Sequence, residues 1–128
     1  MDWEAFWDLI EVGKQDKREL ERKIKKLSEQ DLVDFYWFNI ETAADLKGEE
    51  FLAHWEPPYS DDDVDDVAQW VVRQGLDYYE GIQMEPDTMP TEVPKGEGNV
   101  SWDGVAAKVY KDRYGQAIRD KDEPPPDE

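Results

Sequence analysis

The chain has 128 residues, with 15 lysines and arginines against 33 aspartates and glutamates, and its formal net charge at pH 7 is −18. This length provides for one domain with a hydrophobic core. The carboxylate excess argues against direct binding to nucleic acid or to an anionic membrane surface, because both need cations on the protein. The absence of cysteine excludes disulfides, thiolate nucleophiles and zinc–thiolate sites.

The chain is predicted to be a folded cytoplasmic protein. No apolar run approaches the roughly 20 residues that span a bilayer, and the first residues are acidic where a signal peptide would be basic. The lack of cysteine fits a reducing compartment. Although the mean hydropathy is −0.93, the six tryptophans, six tyrosines and four phenylalanines predict a packed core rather than a disordered chain.

The first third of the chain predicts three helices. Apolar residues in the first ten positions have the three-to-four spacing of one helix face: Trp3, Phe6, Trp7 and Ile10. Gly13 is predicted to end this helix, and a second helix is predicted from about Asp16. Its basic strip between Lys17 and Lys26 is interpreted as a solvated face, with self-association against the acidic middle of the chain as the alternative.

Ser28 is predicted to cap the third helix, which has the widest apolar surface in the chain. A surface of this width should be buried on more than one side, so we predict that this is the central helix. Its apolar face and the residues that broaden it are Leu32, Val33, Phe35, Tyr36, Trp37, Phe38, Ile40, Ala43 and Leu46.

The remaining helices are predicted from serines that mark helix starts and from glycines and prolines that mark helix ends. Phe51 to Trp55 predicts a short helical turn, and Ser60 followed by aspartates predicts a helix start. Gly75 is predicted to interrupt that helix, residues 84–98 form a long loop, and the last helix runs from near Ser101 to Gly115. We therefore predict an all-α single-domain bundle of five to seven helices over residues 1–118. Residues 119–128 are predicted to form a disordered, charged and proline-rich tail.

The sequence contains few candidates for a catalytic or metal-binding site. Asp61, Asp63 and Asp65 open with calcium-loop spacing, but the sixth and twelfth positions hold Asp66 and Val72 instead of glycine and glutamate. The three serines all precede predicted helices, and the single histidine, His54, is interpreted as structural rather than catalytic. No glycine loop is present to bind phosphate. We therefore predict no enzyme activity, no cofactor and no metal.

Three passages together resemble a known family. They are Phe6-Trp7-x-Leu9-Ile10; Ser60-Asp61-Asp62-Asp63 followed by Trp70-Val71-Val72-x-Gln74-Gly75-x-x-x-Tyr79-Glu80 and Pro86-Asp87; and Val105-Ala106-x-x-Val109-Tyr110-x-x-x-Tyr114-Gly115. As an ordered set over about residues 4–115, they are similar to the bacterial domain-of-unknown-function family forty-two forty. The resemblance implies a small, mostly helical, acidic cytosolic protein, and it implies no catalytic residues.

The negative charge is concentrated in the middle of the chain, where residues 31–94 carry −15 of the −18. A concentrated field favours a cationic protein partner, and we predict a binding protein or inhibitor, most plausibly an immunity protein or antitoxin that neutralises a cationic toxin such as a nuclease. The alternatives are a regulatory or scaffold module and a small carboxylate-dependent enzyme. The residues predicted to bind the partner are Glu49, Glu50, Glu56, Asp61, Asp62, Asp63, Asp65 and Asp66 for the field, with Trp55 and Tyr59 as apolar anchors.

Overall fold

The computed structural model describes residues 1–96 and 101–121. Over these residues the protein is helical without any β-strand, which confirms the predicted all-α class. One 3-10 turn, Pro86–Thr88, lies in the long loop before the last helix. The described part of the chain forms seven helices: α1 Trp3–Gln15, α2 Lys17–Lys25, α3 Glu29–Ala44, α4 Glu49–Leu52, α5 Asp61–Arg73, α6 Leu76–Met84 and α7 Trp102–Tyr114.

Serine side chains begin three of the helices, as the sequence predicts. The hydroxyl oxygen of Ser28 accepts a hydrogen bond from the backbone N–H of Asp31 at 3.1 Å, and that of Ser101 accepts one from Gly104 at 3.2 Å. Ser60 and Asp63 form a reciprocal capping box, with distances of 3.1 and 3.0 Å. These hydroxyls therefore satisfy backbone amides that have no partner inside their own helices.

The helix α3 is central, as its wide apolar surface predicts. It packs against α1, α5 and α7, and its residues Leu32, Val33 and Phe35 are fully buried. Asn39 is also buried on this helix, where its side-chain amide donates to the carbonyl oxygen of Phe35 at 2.8 Å. The Asn39 amide thus keeps a hydrogen bond after it leaves water.

Gly13 does not end α1, so that prediction is wrong. The helix continues to Gln15, and Asp16 ends it while its carboxylate caps α2. A Cβ atom at position 13 would lie 2.4 Å from Cδ2 of Leu20 and 3.1 Å from Cζ2 of Trp102. A side chain at position 13 would therefore have to displace the buried side chains of Leu20 and Trp102, which pack against α1 at this point.

Replacing Gly13 with alanine is expected to lower the free energy of unfolding by about 1–2 kcal/mol, because overpacking outweighs the gain in helix propensity. The matched control is Gly81→Ala in α6, where no heavy atom lies within 4 Å of the new Cβ. The control is expected to stabilise the protein by about 0.5–1 kcal/mol. Urea denaturation measures both variants, and equal stabilisation by both would show that position 13 has room for a side chain.

The expected tail boundary at residue 119 differs from the structure. Arg119 is only 7 % exposed, and its guanidinium donates to both carboxylate oxygens of Glu29, at 2.5 and 3.0 Å. It also donates to Gln30 at 2.7 Å, and the indole N–H of Trp37 donates to its carbonyl oxygen at 3.1 Å. The polar groups of α3 thus hold a segment that has no large apolar residue beyond Ile118. Residues 122–128 of the predicted tail lie outside the described residues.

Replacing Arg119 with methionine is expected to destabilise the fold by about 1–3 kcal/mol, because it leaves the partly buried Glu29 carboxylate without its cation. The control Lys121→Met removes the exposed ion pair with Glu41 and is expected to cost at most about 0.5 kcal/mol. Urea denaturation at neutral pH compares the two. Equal losses would mean that the Arg119 contacts contribute no more than an exposed pair.

The contribution of the Arg119 contact depends on pH. Hydrogen bonding from Arg119 is the main cause that lowers the pKa of Glu29 from its ordinary value of 4.5. Because the folded-state pKa lies below the unfolded one, the stabilisation is complete above pH 4.5 and is lost as the pH falls through the lower, folded value. The stability difference between wild type and Arg119→Met should therefore shrink in acid, and a constant difference would contradict this pairing.

Candidate functional site

A cleft of about 620 Å³ opens between the segment that follows α4, the first turns of α5 and the loop after the 3-10 turn. The sequence places these walls, because Pro57 and Pro58 end the helical turn and Ser60 starts α5 directly afterwards. Half of the predicted binding residues line this cleft: Trp55, Glu56, Tyr59, Asp63 and Asp66.

One wall of the cleft is aromatic. The rings of Trp55 and Tyr59 meet edge to face, with their centroids 5.2 Å apart and their planes at 72°. Tyr59 is 40 % exposed, whereas Trp55 is only 6 % exposed. Of the two predicted apolar anchors, Tyr59 is therefore exposed at the cleft, whereas Trp55 is buried in its wall.

Carboxylates approach the cleft from three segments of the chain. Glu56 precedes the proline pair, Asp63 and Asp66 lie one turn apart on α5, and Glu92 comes from the long loop. Neither lysine nor arginine is among the described residues that line the cleft. Glu92 was not among the predicted binding residues, because only the fold brings its proline-rich loop next to α5.

The walls are fixed by local hydrogen bonds. One carboxylate oxygen of Asp63 accepts from the backbone of Ser60. The Nε2–H of His54 donates to the carbonyl oxygen of Met89 at 2.7 Å, and the side chain of Met89 is buried. His54 thus ties the loop to the segment after α4, which agrees with its structural interpretation.

The other five predicted binding residues do not line this cleft. A second, smaller cleft of about 340 Å³ is lined by Glu49 and Tyr59, so Tyr59 belongs to both clefts. Asp65 forms an ion pair with Lys47 at 2.9 Å, which reduces its share of the field. Glu50, Asp61 and Asp62 are exposed and line neither cleft.

The described residues include no group of three or more histidine, cysteine or carboxylate side chains arranged to hold a metal ion. The three serines cap helices, where their hydroxyls accept backbone hydrogen bonds. The cleft thus combines an aromatic wall with a rim of carboxylates.

The fold and this cleft define a small, acidic, all-helical protein with a concave negative surface. The chain belongs to the family described as protein of unknown function (DUF4240), whose model matches residues 1–115. This confirms the family that the sequence motifs suggested. Comparisons with curated proteins and with solved structures gave no match. Across residues 1–96 and 101–121, every helix is too short or too polar to cross a bilayer.

Proposed function

We propose that this protein is a small acidic inhibitor that binds a cationic protein, as an immunity protein or antitoxin binds a toxin such as a nuclease. The observation that supports this most is the cleft beside α5, which is lined by carboxylates from three chain segments and by the exposed Tyr59. It lies in the part of the chain that carries −15 of the −18 net charge.

The negative field acts first on the encounter between the two proteins. Clefts lined by one sign of charge raise the local concentration of oppositely charged partners, and association rates rise with them. Asp61, Asp62 and Asp66 are exposed on the first two turns of α5, where they point their charge at solvent. A basic active-site cleft would meet these carboxylates where it otherwise receives phosphates.

Binding affinity requires contacts besides the field. Tyr59 supplies an exposed aromatic ring at the border of two clefts, and aromatic residues of this kind dominate the energetics of interfaces. The capping box at Ser60 and Asp63 and the ion pair between Lys47 and Asp65 hold α5 in place before a partner arrives. Such preorganisation reduces the entropy lost on association.

The interaction would take place in the bacterial cytoplasm, where a toxin has to be neutralised before it reaches its target. The cysteine-free composition fits that compartment. The gene for the partner is expected next to the gene for this chain, as a reading frame that encodes a basic, toxin-like protein.

Affinity capture with the full chain, followed by an activity assay, tests the inhibitor role. We expect the captured protein to be basic, and we expect its catalytic activity to fall to background when one equivalent of the purified chain is added. A partner whose activity is unchanged at saturating chain would contradict the inhibitor role.

A regulatory or scaffold module is the second candidate, and exposed aromatic side chains outside the cleft favour it. Trp3 and Tyr114 are 46 % and 40 % exposed, and Tyr78 lines a separate cleft beside α1. Docking through these rings would depend little on ionic strength, whereas steered association weakens as salt increases. Salt titration of the binding of the captured partner therefore separates the two candidates.

A further inference from the structure

We propose that the outer face of α2 binds the outer face of α5 in a second copy of this chain. The basic face of α2 consists of Arg18, Arg22 and Lys25, and the acidic face of α5 consists of Asp62 and Asp66. Binding to a cationic partner makes no use of the basic face, so this inference goes beyond the proposed function.

The basic face is turned to solvent. Its three residues stand at positions i, i+4 and i+7 of α2, which places them together, opposite the buried Leu20 and Ile24. All three side chains are exposed. At 1.5 Å per residue, the row from Arg18 to Lys25 is about 10 Å long.

Most of this positive charge has no partner within the molecule. Arg22 pairs with Glu19 at 2.5 Å, whereas Arg18 and Lys25 form no ion pair with any residue that the structure describes. The guanidinium of Arg113, which donates to the carbonyl oxygen of Lys25, adds another cation at the end of α2. Cations one turn apart on a helix repel each other. An acidic surface laid on this face would relieve that repulsion.

A second copy of the chain offers such a surface. Asp62 and Asp66 are exposed, and they lie one turn apart on α5, opposite the buried Val64 and Ala68. Their separation along the helix, about 6 Å, fits within the length of the basic face. The two faces therefore match in charge and in spacing.

The fold keeps these two faces apart within one molecule. The helix α2 packs mainly on α1 and α7, whereas α5 packs mainly on α1, α3 and α6. No ion pair joins α2 to α5 among residues 1–96 and 101–121. Each face is therefore open to a second copy.

The net charge gives this association a characteristic salt dependence. Two copies with a charge of −18 repel each other at long range. The screening length is about 30 Å at 0.01 M salt, 8 Å at 0.15 M and 3 Å at 1 M. Near 0.15 M the long-range repulsion is screened while contacts within about 4 Å persist. Self-association should therefore be strongest there and weaker at both extremes, unlike the steered binding of a cationic partner.

A charge swap between the two faces tests the interface. Sedimentation equilibrium of the full chain, at millimolar concentration in about 0.15 M salt, measures self-association. Arg18→Glu with Lys25→Glu should weaken it at least about tenfold, and so should Asp62→Lys with Asp66→Lys, because each pair of changes turns the attraction into repulsion. An equimolar mixture of the two variants should restore association, because each altered face then meets a face of opposite charge.

The control is Lys95→Glu with Lys111→Glu, which gives the same net charge of −22 as the α2 variant. Both lysines are exposed and lie outside α2, so association should change by less than about twofold. Circular dichroism shows whether each variant is folded. If lysines at the start of α5 prevent folding, Asp62→Asn with Asp66→Asn takes their place, and its mixture with the α2 variant should restore part of the association.

A wild-type chain that sediments as a monomer at all three salt concentrations would overturn the interface. A mixture of the folded variants that stays monomeric, or a control that loses as much association as the α2 variant, would also overturn it. The experiment contains only this chain, so such a failure would leave the inhibitor role untouched. An inhibitor assay without effect would, in turn, leave the interface between copies untouched.

Discussion

Replacing Asp61, Asp62 and Asp66 together with asparagine is expected to slow association with the cationic partner by about ten- to a hundredfold. The three side chains are exposed on the first two turns of α5, and the change takes the net charge from −18 to −15. The loss should appear chiefly in the association rate, because steering acts before the two surfaces touch. Stopped-flow mixing at low ionic strength measures it.

The triple variant keeps the two side-chain contacts that stabilise the first turns of α5. Asp63 is retained because it forms the capping box with Ser60, and Asp65 is retained because it pairs with Lys47. Each first-turn carboxylate that is lost removes about 0.3–1 kcal/mol of favourable interaction with the helix dipole. Circular dichroism is therefore needed to show that the variant is folded at the assay temperature.

The control for this variant carries the same net charge. Glu4→Gln, Asp8→Asn and Glu21→Gln together also give −15, and all three residues are exposed in the first 30 positions, where the net charge is only −1. This control is expected to change the association rate by less than about threefold, because its charges lie in a part of the chain with little net field. Equal slowing by both variants would mean that overall charge, not its location, governs association.

The largest expected loss of stability comes from Phe6→Ala, at about 3–5 kcal/mol. Phe6 is fully buried, and its ring centre lies 5.0 Å from Trp7, 5.3 Å from Phe38 and 5.7 Å from Phe35. The substitution removes the ring contacts of Phe6 with Phe35 and Phe38 on α3 and leaves a cavity that the neighbouring side chains fill only in part. Urea denaturation measures the loss.

Trp3→Ala is the control for the aromatic cluster. Trp3 also stacks on Phe6, at a centroid distance of 5.9 Å, but it is 46 % exposed. Its removal should cost about 1 kcal/mol, the value of an aromatic pair without full burial. If Phe6→Ala does not fold, Phe6→Leu should fold with a loss of about 1.5 kcal/mol. A loss below 1 kcal/mol in Phe6→Ala would contradict the packing of α1 on α3.

The helices could be predicted because their signals are local. Ser28, Ser60 and Ser101 stand one residue before the helices that they cap, and the hydroxyl–amide contact spans only three residues. The central position of α3 was also predictable, since its apolar surface is too wide for a helix with one buried side. Neither feature depends on which helices pack against each other.

The errors arose where a distant contact determines the conformation. Gly13 has the sequence signal of a helix end, but the side chains of Leu20 and Trp102 determine its role. Arg119 lies in a segment with tail-like composition, yet its partner Glu29 is 90 residues away. The spacing of residues along the sequence does not show which distant residues come into contact in the fold.

The candidate site was predictable in its residue types but not in its shape. Tyr59, Asp63 and Asp66 follow from one short stretch of sequence, and the fold places these three at one cleft. The burial of Trp55 and the arrival of Glu92 from the long loop depend on how the segments pack. Trp55 lies in a short turn and Glu92 in a loop, so neither belongs to a repeating pattern that would predict its position.

The claim that carboxylates at the α5 cleft steer a cationic partner is tested most directly by the association rate as a function of ionic strength. For the wild-type chain and its captured partner, the rate should fall at least about tenfold between 20 and 500 mM salt, because screening shortens the reach of the carboxylates. The triple asparagine variant should show a clearly flatter dependence. A wild-type rate that stays constant across this range would contradict an electrostatic role for the carboxylates around Tyr59.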